Sequence, residues 1–302
     1  MATRALVITN PAAARTDQVA ARAVVSALQR GGWEVELIAT GGPGDARRFA
    51  ASAVADRFDV FTVFGGDGTT MQAASALVGS DVALGVVPGG TGNLLAGNLR
   101  IPQHPLRAAA ALIAGSSRAL DLGRLERPDG THYFAVACGA GYDARVMAGT
   151  TTSSKHRWRF AAYVATTLRL IPELRSKDHV ITVDGVEYEA KATMILVANC
   201  GEIIPPYVRL RRGISPYDGL LDVVVLRADG FVESIQALWE LFHESERSPG
   251  DDGFVGYAQG REISISSTPP EPVQLDGDAG GETPFSVSIV PGAIRVLIPP
   301  AP

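Results

Sequence analysis

The sequence predicts an α/β domain built on a doubly wound parallel sheet, followed by a β-sandwich. Three observations predict it. Over roughly the first 120 residues, strand-like and helix-like patterns alternate, as in a parallel sheet with crossover helices. From about Asp121 the pattern changes to short alternating segments separated by turns, the texture of an antiparallel sandwich. Two Gly-rich stretches, 65–69 and 88–93, each follow directly on a strand pattern, and the carboxyl ends of strands are where open α/β sheets bind ligands. With 302 residues, 46% of them hydrophobic, the chain can form two domains with real cores. The boundary is expected near 122, giving domains 1–122 and 123–302, with no linker run, repeat or low-complexity tract.

Residues 5–9 (ALVIT) form a buried-strand pattern, and 16–30 an amphipathic helix with Asp17 in its first turn and Gly31-Gly32 as its stop. Residues 35–39 are the next strand. A helix over 45–55 follows, with Asp45 as its N-cap after Gly44. Residues 60–64 (VFTVF) run straight into Gly65-Gly66-Asp67-Gly68-Thr69, and a helix is expected to start near Thr70. Residues 82–87 (VALGVV) run into Pro88-Gly89-Gly90-Thr91-Gly92-Asn93. In the second part, strands are expected at 133–138, 180–183, 193–198, 221–226, 262–266, 285–290 and 293–298. Asp-Gly turns stand at 129–130, 184–185 and 276–277, and helices at about 155–171 and 231–246.

Composition removes several function classes. A formal net charge of −5 argues against nucleic-acid binding by the whole chain. Cys138 and Cys200 sit in apolar, strand-like runs, so no disulfide framework is expected and a reducing, cytoplasmic setting is natural. The N-terminus lacks the apolar region of a signal peptide, and no stretch approaches the ~20 apolar residues of a membrane span. Lysine occurs only at 155, 177 and 191, none of them after a glycine, which excludes a P-loop. The five His are scattered without metal-ligand spacing, and neither a GxSxG elbow nor a GxGxxG turn after the first strand is present.

The pair of glycine loops carries the strongest chemical signal. Glycines let the backbone approach a polyphosphate and aim N–H groups at it, and a following helix adds the favourable end of its dipole. Asp67 has no use against phosphate unless Mg²⁺ lies between them, directly or through water. The plainer reading is a tight strand-to-helix turn with an Asp cap. One such loop leaves the two readings comparable, whereas two at strand ends favour phosphate.

These residues resemble the diacylglycerol-kinase catalytic domain shared by bacterial lipid kinases, sphingosine kinases and ceramide kinases. The resemblance rests on Gly65–Thr69, the 88–93 loop, Asn10-Pro11 with Arg15, Asp121-Leu-Gly, and Val273-Gln-Leu-Asp-Gly-Asp278, in that family's order and across essentially the whole chain. GGDGT alone is shared with the NAD kinases. The resemblance implies a nucleotide-binding first domain of the NAD kinase and diacylglycerol kinase kind, with the active site in a cleft beside the sandwich. It implies an ATP- and Mg²⁺-dependent lipid kinase that transfers the γ-phosphate to diacylglycerol or a related lipid alcohol. Asn10, Pro11, Ala12, Arg15 and Thr40 would line the nucleotide. Gly65, Gly66, Asp67, Gly68, Thr69, Thr70 and Met71 would cradle its phosphates, with Thr91 from the second loop. Asp67 and Asp121 would hold the metal network, and Asp278 would be the general base. Asp276 would orient the turn or bind water on the metal. Ser215, Asp218 and Leu220 resemble a structural Mg²⁺ site, for which an ordinary turn is the plainer reading. This chain contains seven Asp-Gly dipeptides, so only the second acid and the position in the order single out 276–278.

This chain departs from the family pattern in three places. Ala14 stands before Arg15 where a glycine is usual, Leu94 stands where many diacylglycerol kinases place Asp, and residues 202–212 (EIIPPYVRLRR) replace a glycine-rich stretch, which would reshape the acceptor pocket. Two rival functions share parts of the pattern: an NAD kinase-like phosphotransferase, and a nucleotide-binding regulatory protein without turnover. Residues 150–177 carry six Lys/Arg against one Glu, with Trp158 and Phe160 among them, a mix suited to peripheral contact with an anionic membrane. The later part of that segment has helical core spacing, which assigns membrane contact to its start alone. The expected partner is the lipid, with a homodimer left open.

Overall fold

The structure, a computed structural model, describes residues 2–141, 176–205, 208–211, 213–228 and 248–300, together with Glu233 and Gln236. The chain divides into two compact units. Unit 1 holds residues 1–121, 204–207 and 292–302; unit 2 holds 122–203 and 208–291.

Unit 1 is an α/β layer structure. Its strands β1 (Arg4–Thr9), β2 (Glu34–Ala39), β3 (Val60–Gly65) and β4 (Ala83–Pro88) lie in the order β2-β1-β3-β4, all parallel. The strands β3 and β4 are buried along their whole length, as parallel strands covered on both faces must be. The edge strand β2 is half-exposed. Right-handed crossovers place α1 (Gln18–Arg30), which carries the chain from β1 outward to β2, on the opposite face from α2 (Asp45–Ala55) and α3 (Asp67–Leu77), which carry it the other way. The helix contacts agree: α1 packs with α5 (Pro105–Ala114), and α2 with α3.

Capping fixes the helix starts, and three differ from expectation. Asp17 stands outside α1 as its N-cap, its carboxylate accepting from Ala20 N at 2.8 Å. In α2 the cap is Gly44 at φ 84°, a left-handed conformation costly for any side chain, so Asp45 becomes the first helical residue. The Asp45 carboxylate instead accepts from Gly41 N (2.7 Å) and Gly42 N (3.2 Å), closing the loop before the helix. Helix α3 starts at Asp67, three residues before the expected Thr70.

Unit 2 is an antiparallel sandwich. One sheet has the order β14-β13-β10-β7-β16-β17, from Val255–Gly260, Leu221–Leu226, Met194–Ala198, Ala137–Gly141, Pro272–Leu275 and Asp278–Glu282. The other joins β18 (Phe285–Ile298), β15 (Glu262–Thr268), β8 (Lys177–Val183) and β9 (Val186–Ala192), with β5 (Ser116–Arg127) and β6 (Gly130–Phe134), and β11 (Glu202–Ile204) pairs with β12 (Val208–Arg209) by itself. The core between them draws on both sheets, including Leu125, Phe134, Ile181, Ile263 and Val287 from one and Cys138, Ile195, Val223 and Val273 from the other. The Asp-Gly pairs at 184–185 and 276–277 have positive φ at both positions, which suits the right-handed twist of a tight hairpin.

Two expected strands are corrected here. The run 133–138 splits into the end of β6 and the start of β7, which belong to different sheets. The runs 285–290 and 293–298 form the single strand β18, carried through Pro291 by Gly292 at φ 59°. The early part of β18 pairs with β15, and Arg295 and Val296 pair with β4, so the last residues return to unit 1. Of the expected helices, 155–171 lies outside the described residues; in 231–246 the described Glu233 and Gln236 are helical. Among the described residues no helix is long and apolar enough to cross a membrane.

Candidate active site

Three loops of unit 1 leave neighbouring parallel strands at their carboxyl ends: residues after β1, after β3 and after β4. Strand pairing ends at Thr9 with Phe64 and at Gly65 with Pro88, so the loops start side by side. The two glycine loops touch backbone to backbone. Gly89 N donates to Gly65 O at 2.8 Å, and a Cβ on Gly90 would stand 2.6 Å from the Gly66 Cα. The second loop cannot carry a side chain at that contact, because a Cβ on Gly89 or Gly90 would meet Thr16 or the first loop's backbone. The helix α3 opens beside it, with Gly66 as an N-cap that supplies no side-chain hydrogen bond. The first-turn N–H groups of α3 therefore receive no hydrogen bond from an N-cap side chain, and Asp67 is the acid of that turn.

Asp67 has a partner that sequence reasoning could not supply. Its carboxylate accepts from Asn93 N at 2.7 Å and from Leu94 N at 2.6 Å, capping the single-turn helix α4 (Leu94–Asn98) that follows the second loop. Asp67 thus ties one glycine loop to the other. Desolvation by burial pushes its pKa up from the ordinary carboxylate value, and the N–H groups of Leu94 and Asn93 oppose that shift. Asn93, absent from the expected site, organises the second loop. It is buried, sits at φ 50°, accepts from Gly90 N (2.9 Å) and donates to Gly90 O (3.0 Å) and Gln103 Oε1 (2.9 Å). Its signal was the loop itself, since Asn is among the few non-glycine residues that enter the left-handed region readily.

The first loop is bound to the other two. Asn10 Nδ2 donates to Thr69 Oγ1 at 2.9 Å, Asn10 Oδ1 accepts from Ala12 N at 3.0 Å, and Arg15 N donates to Gly89 O at 3.1 Å. The buried Thr16, also unexpected, donates its hydroxyl to Asn10 O and Ala13 O, and its methyl group meets Gly89. Pro11, Ala12 and the Arg15 side chain are exposed, as is Thr91 on the second loop. Thr40, at the end of β2, donates through N (2.8 Å) and Oγ1 (3.4 Å) to Thr9 O. Thr70 is buried with its hydroxyl on Gly66 O at 3.0 Å, while Gly68 and Met71 are half-buried in α3. Asp121 is buried on β5 and accepts from Gly292 N at 2.7 Å; no described hydrogen bond joins it to Asp67.

In unit 2, Asp276 and Asp278 have different surroundings. The Asp276 carboxylate accepts from Ala135 N (2.7 Å), Val136 N (2.8 Å) and Ala137 N (2.9 Å), at the point where the chain passes from one sheet to the other. Those three bonds account for the split of 133–138. Asp278, at the start of β17, is exposed and has no hydrogen-bond or ion-pair partner among the described residues. Partial desolvation pushes its pKa up. In the 215–220 loop, Asp218 Oδ1 accepts from Leu220 N at 3.0 Å. Close by in sequence, the buried Asp222 accepts from Tyr257 OH at 3.1 Å. Burial pushes its pKa up to about 6, and the charge of Asp218 adds to the shift against the Tyr257 hydrogen bond.

Comparison with known proteins agrees with this arrangement. Residues 4–125 match the family model of the diacylglycerol kinase catalytic domain, and residues 136–298 that of the YegS C-terminal NAD kinase beta sandwich-like domain. The chain is 29% identical to a diacylglycerol kinase of Mycobacterium tuberculosis (strain ATCC 25618 / H37Rv), over 97% of this chain and 94% of that one. It is 30% identical to the protein named "Probable lipid kinase YegS-like" of Pseudomonas aeruginosa (strain UCBPP-PA14), over 92% and 89% of the two chains. A solved diacylglycerol kinase structure from Bacillus anthracis str. Sterne superposes with a TM-score of 0.75 over 98% of this chain and 97% of that one, at 20% identity, a likeness of fold. With both of its parts matched in order, the chain belongs to the bacterial diacylglycerol kinase and YegS-like family of lipid kinases.

Proposed function

We propose that this chain transfers the γ-phosphate of ATP, with Mg²⁺, to the hydroxyl of a lipid alcohol, diacylglycerol or a close relative. The observation that carries the reading is the backbone contact of Gly65-Gly66 with Gly89-Gly90 beside the open N-terminus of α3. Bare loop backbone beside the first-turn N–H groups of a helix is a setting that fits a polyphosphate. In this reading Asn10, Pro11, Ala12, Arg15 and Thr40 line the nucleotide, Gly65 to Met71 cradle the phosphates, and Thr91 reaches them from the second loop. Asp67 and Asp121 would supply hard carboxylate oxygens, the ligand type that suits a hydrated Mg²⁺. When bound, the ion neutralises charge that develops on the phosphates.

Asp278 takes the proton of the lipid hydroxyl as its oxygen attacks the γ-phosphorus. The bond from that phosphorus to the bridging oxygen breaks, and ADP leaves with the electron pair. Phosphoryl transfer asks chiefly for positioning and electrostatic stabilisation, which the tied loops supply, and for a carboxylate near the attacking oxygen. The test is transfer of radiolabelled γ-phosphate to a panel of diacylglycerol, a sphingoid base, phosphatidylglycerol and NAD. Label on a lipid supports the reading and names the acceptor. Label on NAD alone points to the NAD kinase-like rival, and no label on any acceptor to a silent nucleotide-binding protein.

Ser215, Asp218 and Leu220 are proposed to hold a structural Mg²⁺, two carbonyls and one carboxylate completed by water. Mg²⁺ should then raise the melting temperature over EDTA in the wild type without nucleotide, and the two melts should coincide in Asp218→Ala. Equal wild-type melts would remove the site. Membrane contact is proposed for the start of the 155–171 segment, which lies outside the described residues. Arg157→Glu with Arg159→Glu should weaken co-sedimentation with anionic vesicles and raise the apparent KM on them, while activity on a short-chain substrate stays unchanged. A parallel fall in both assays would assign the segment to the fold or the active site.

A further inference from the structure

The stretch 202–212, where this chain departs from the family pattern, has a described contact that bears on the nucleotide loops. Residues 204–207 belong to unit 1, although the chain on either side of them belongs to unit 2. Within unit 1, Pro205 lies against Gly97 of α4. A Cβ on Gly97 would stand 2.4 Å from the Pro205 Cβ and 2.8 Å from its Cγ, so the ring rests on bare backbone. Proline is rigid there, and only glycine leaves room for it.

Helix α4 is one turn long and cannot hold its own shape, because so short a helix has little beyond its nucleus. It is fixed from outside at several points. Asp67 caps its first residues, Leu95 and Ala96 are buried beneath it, and Leu99 and Ile101 are buried just beyond it. The turn after it closes with Arg100 N donating to Gly97 O at 3.0 Å, Arg100 taking φ 59°. Pro205 supplies a further contact, on the one glycine of the helix. The second glycine loop, with Thr91 and Gly92, leads directly into this helix, so whatever fixes α4 also fixes the loop.

We propose that Pro205 is a positioning residue: seated on Gly97, it braces α4 and so holds the second glycine loop in its nucleotide-binding form. This rests on the nucleotide reading of the loops. It gives Pro205 a role on the nucleotide side, where the sequence suggested the acceptor pocket for 202–212.

The experiment uses the full chain with Pro205→Gly, Gly97→Ala and the double variant, and reads two quantities. Hydrogen–deuterium exchange of the free protein over residues 89–101 should quicken in each single variant, in Gly97→Ala despite the better helix propensity of alanine. The KM for ATP should rise about fivefold in each, with kcat and the KM for the lipid close to wild type. The double variant should be no worse than the worse single one, since both remove the same contact. A residue that only supported the fold would lower the active fraction and leave both KM values alone. The proposal is overturned if exchange over 89–101 is unchanged in both single variants, or if the lipid KM moves while the ATP KM does not. Should the wild type use no nucleotide, exchange still decides the brace, and the failure belongs to the proposed function.

Discussion

Asp278→Ala is expected to lower kcat by about 10²–10⁴-fold, the usual cost of losing a general base, with no change in melting temperature. The stability half follows from position. Asp278 is exposed at the first residue of β17, opposite Leu275, and its carboxylate holds no described partner, so removing it opens no cavity and orphans no donor. The neighbouring acid behaves oppositely. Asp276→Ala removes the acceptor of three backbone N–H groups and should cost roughly 2 kcal/mol or more of stability. The pair of variants therefore separates catalysis from folding two residues apart. The pH profile supplies a second check. Desolvation raises the pKa of Asp278, so the base is inactive while protonated, and kcat/KM should rise with pH through that raised pKa and then level. Asp278→Asn should abolish the rising limb along with most of the rate. A near-wild-type kcat for Asp278→Ala on the true acceptor would remove this carboxylate from the mechanism.

How much of this was legible in the sequence depended on the range of the interaction. Strand patterns, helix stops and the two glycine loops follow from local chemistry, and the parallel sheet and the sandwich stand where their periodicities placed them. What failed to appear was set by contacts distant in sequence. Asp276 ends β6 and starts β7 through N–H groups some 140 positions earlier, and nothing in the run YFAVAC announces that break. Gly292 resembles a turn residue, yet it carries β18 through Pro291 into a pairing with β4 that no local pattern encodes. The site shows the same division. Gly65–Thr69 stood out by composition, whereas Thr16 and Asn93 became visible only through hydrogen bonds that join separate loops.

Asp67→Ala is expected to be the other severe variant, with kcat/KM falling by about 10²-fold or more. The sequence suggested that this carboxylate had no business near phosphate without a metal. In the structure it has a role without one, since both oxygens accept N–H groups at the start of α4. Two consequences separate this role from metal binding alone. First, the loss should be accompanied by destabilisation of about 0.5–2 kcal/mol, the range for removing a helix cap, because Asn93 N and Leu94 N lose their acceptor. Second, Asp67→Asn should not rescue the protein. Its side chain offers one acceptor oxygen where the carboxylate offers two, so one of the two N–H groups would face an NH₂. A pure metal ligand predicts something different: a variant as stable as wild type whose activity returns in part at high Mg²⁺. The measurements are thermal melts of both variants and initial rates across a Mg²⁺ series. Melts equal to wild type together with recovery at high Mg²⁺ would assign Asp67 to the metal and leave α4 to be held by its buried Leu95 and Ala96. Lower melts with no recovery would place the tie between the two glycine loops at the centre of the nucleotide site.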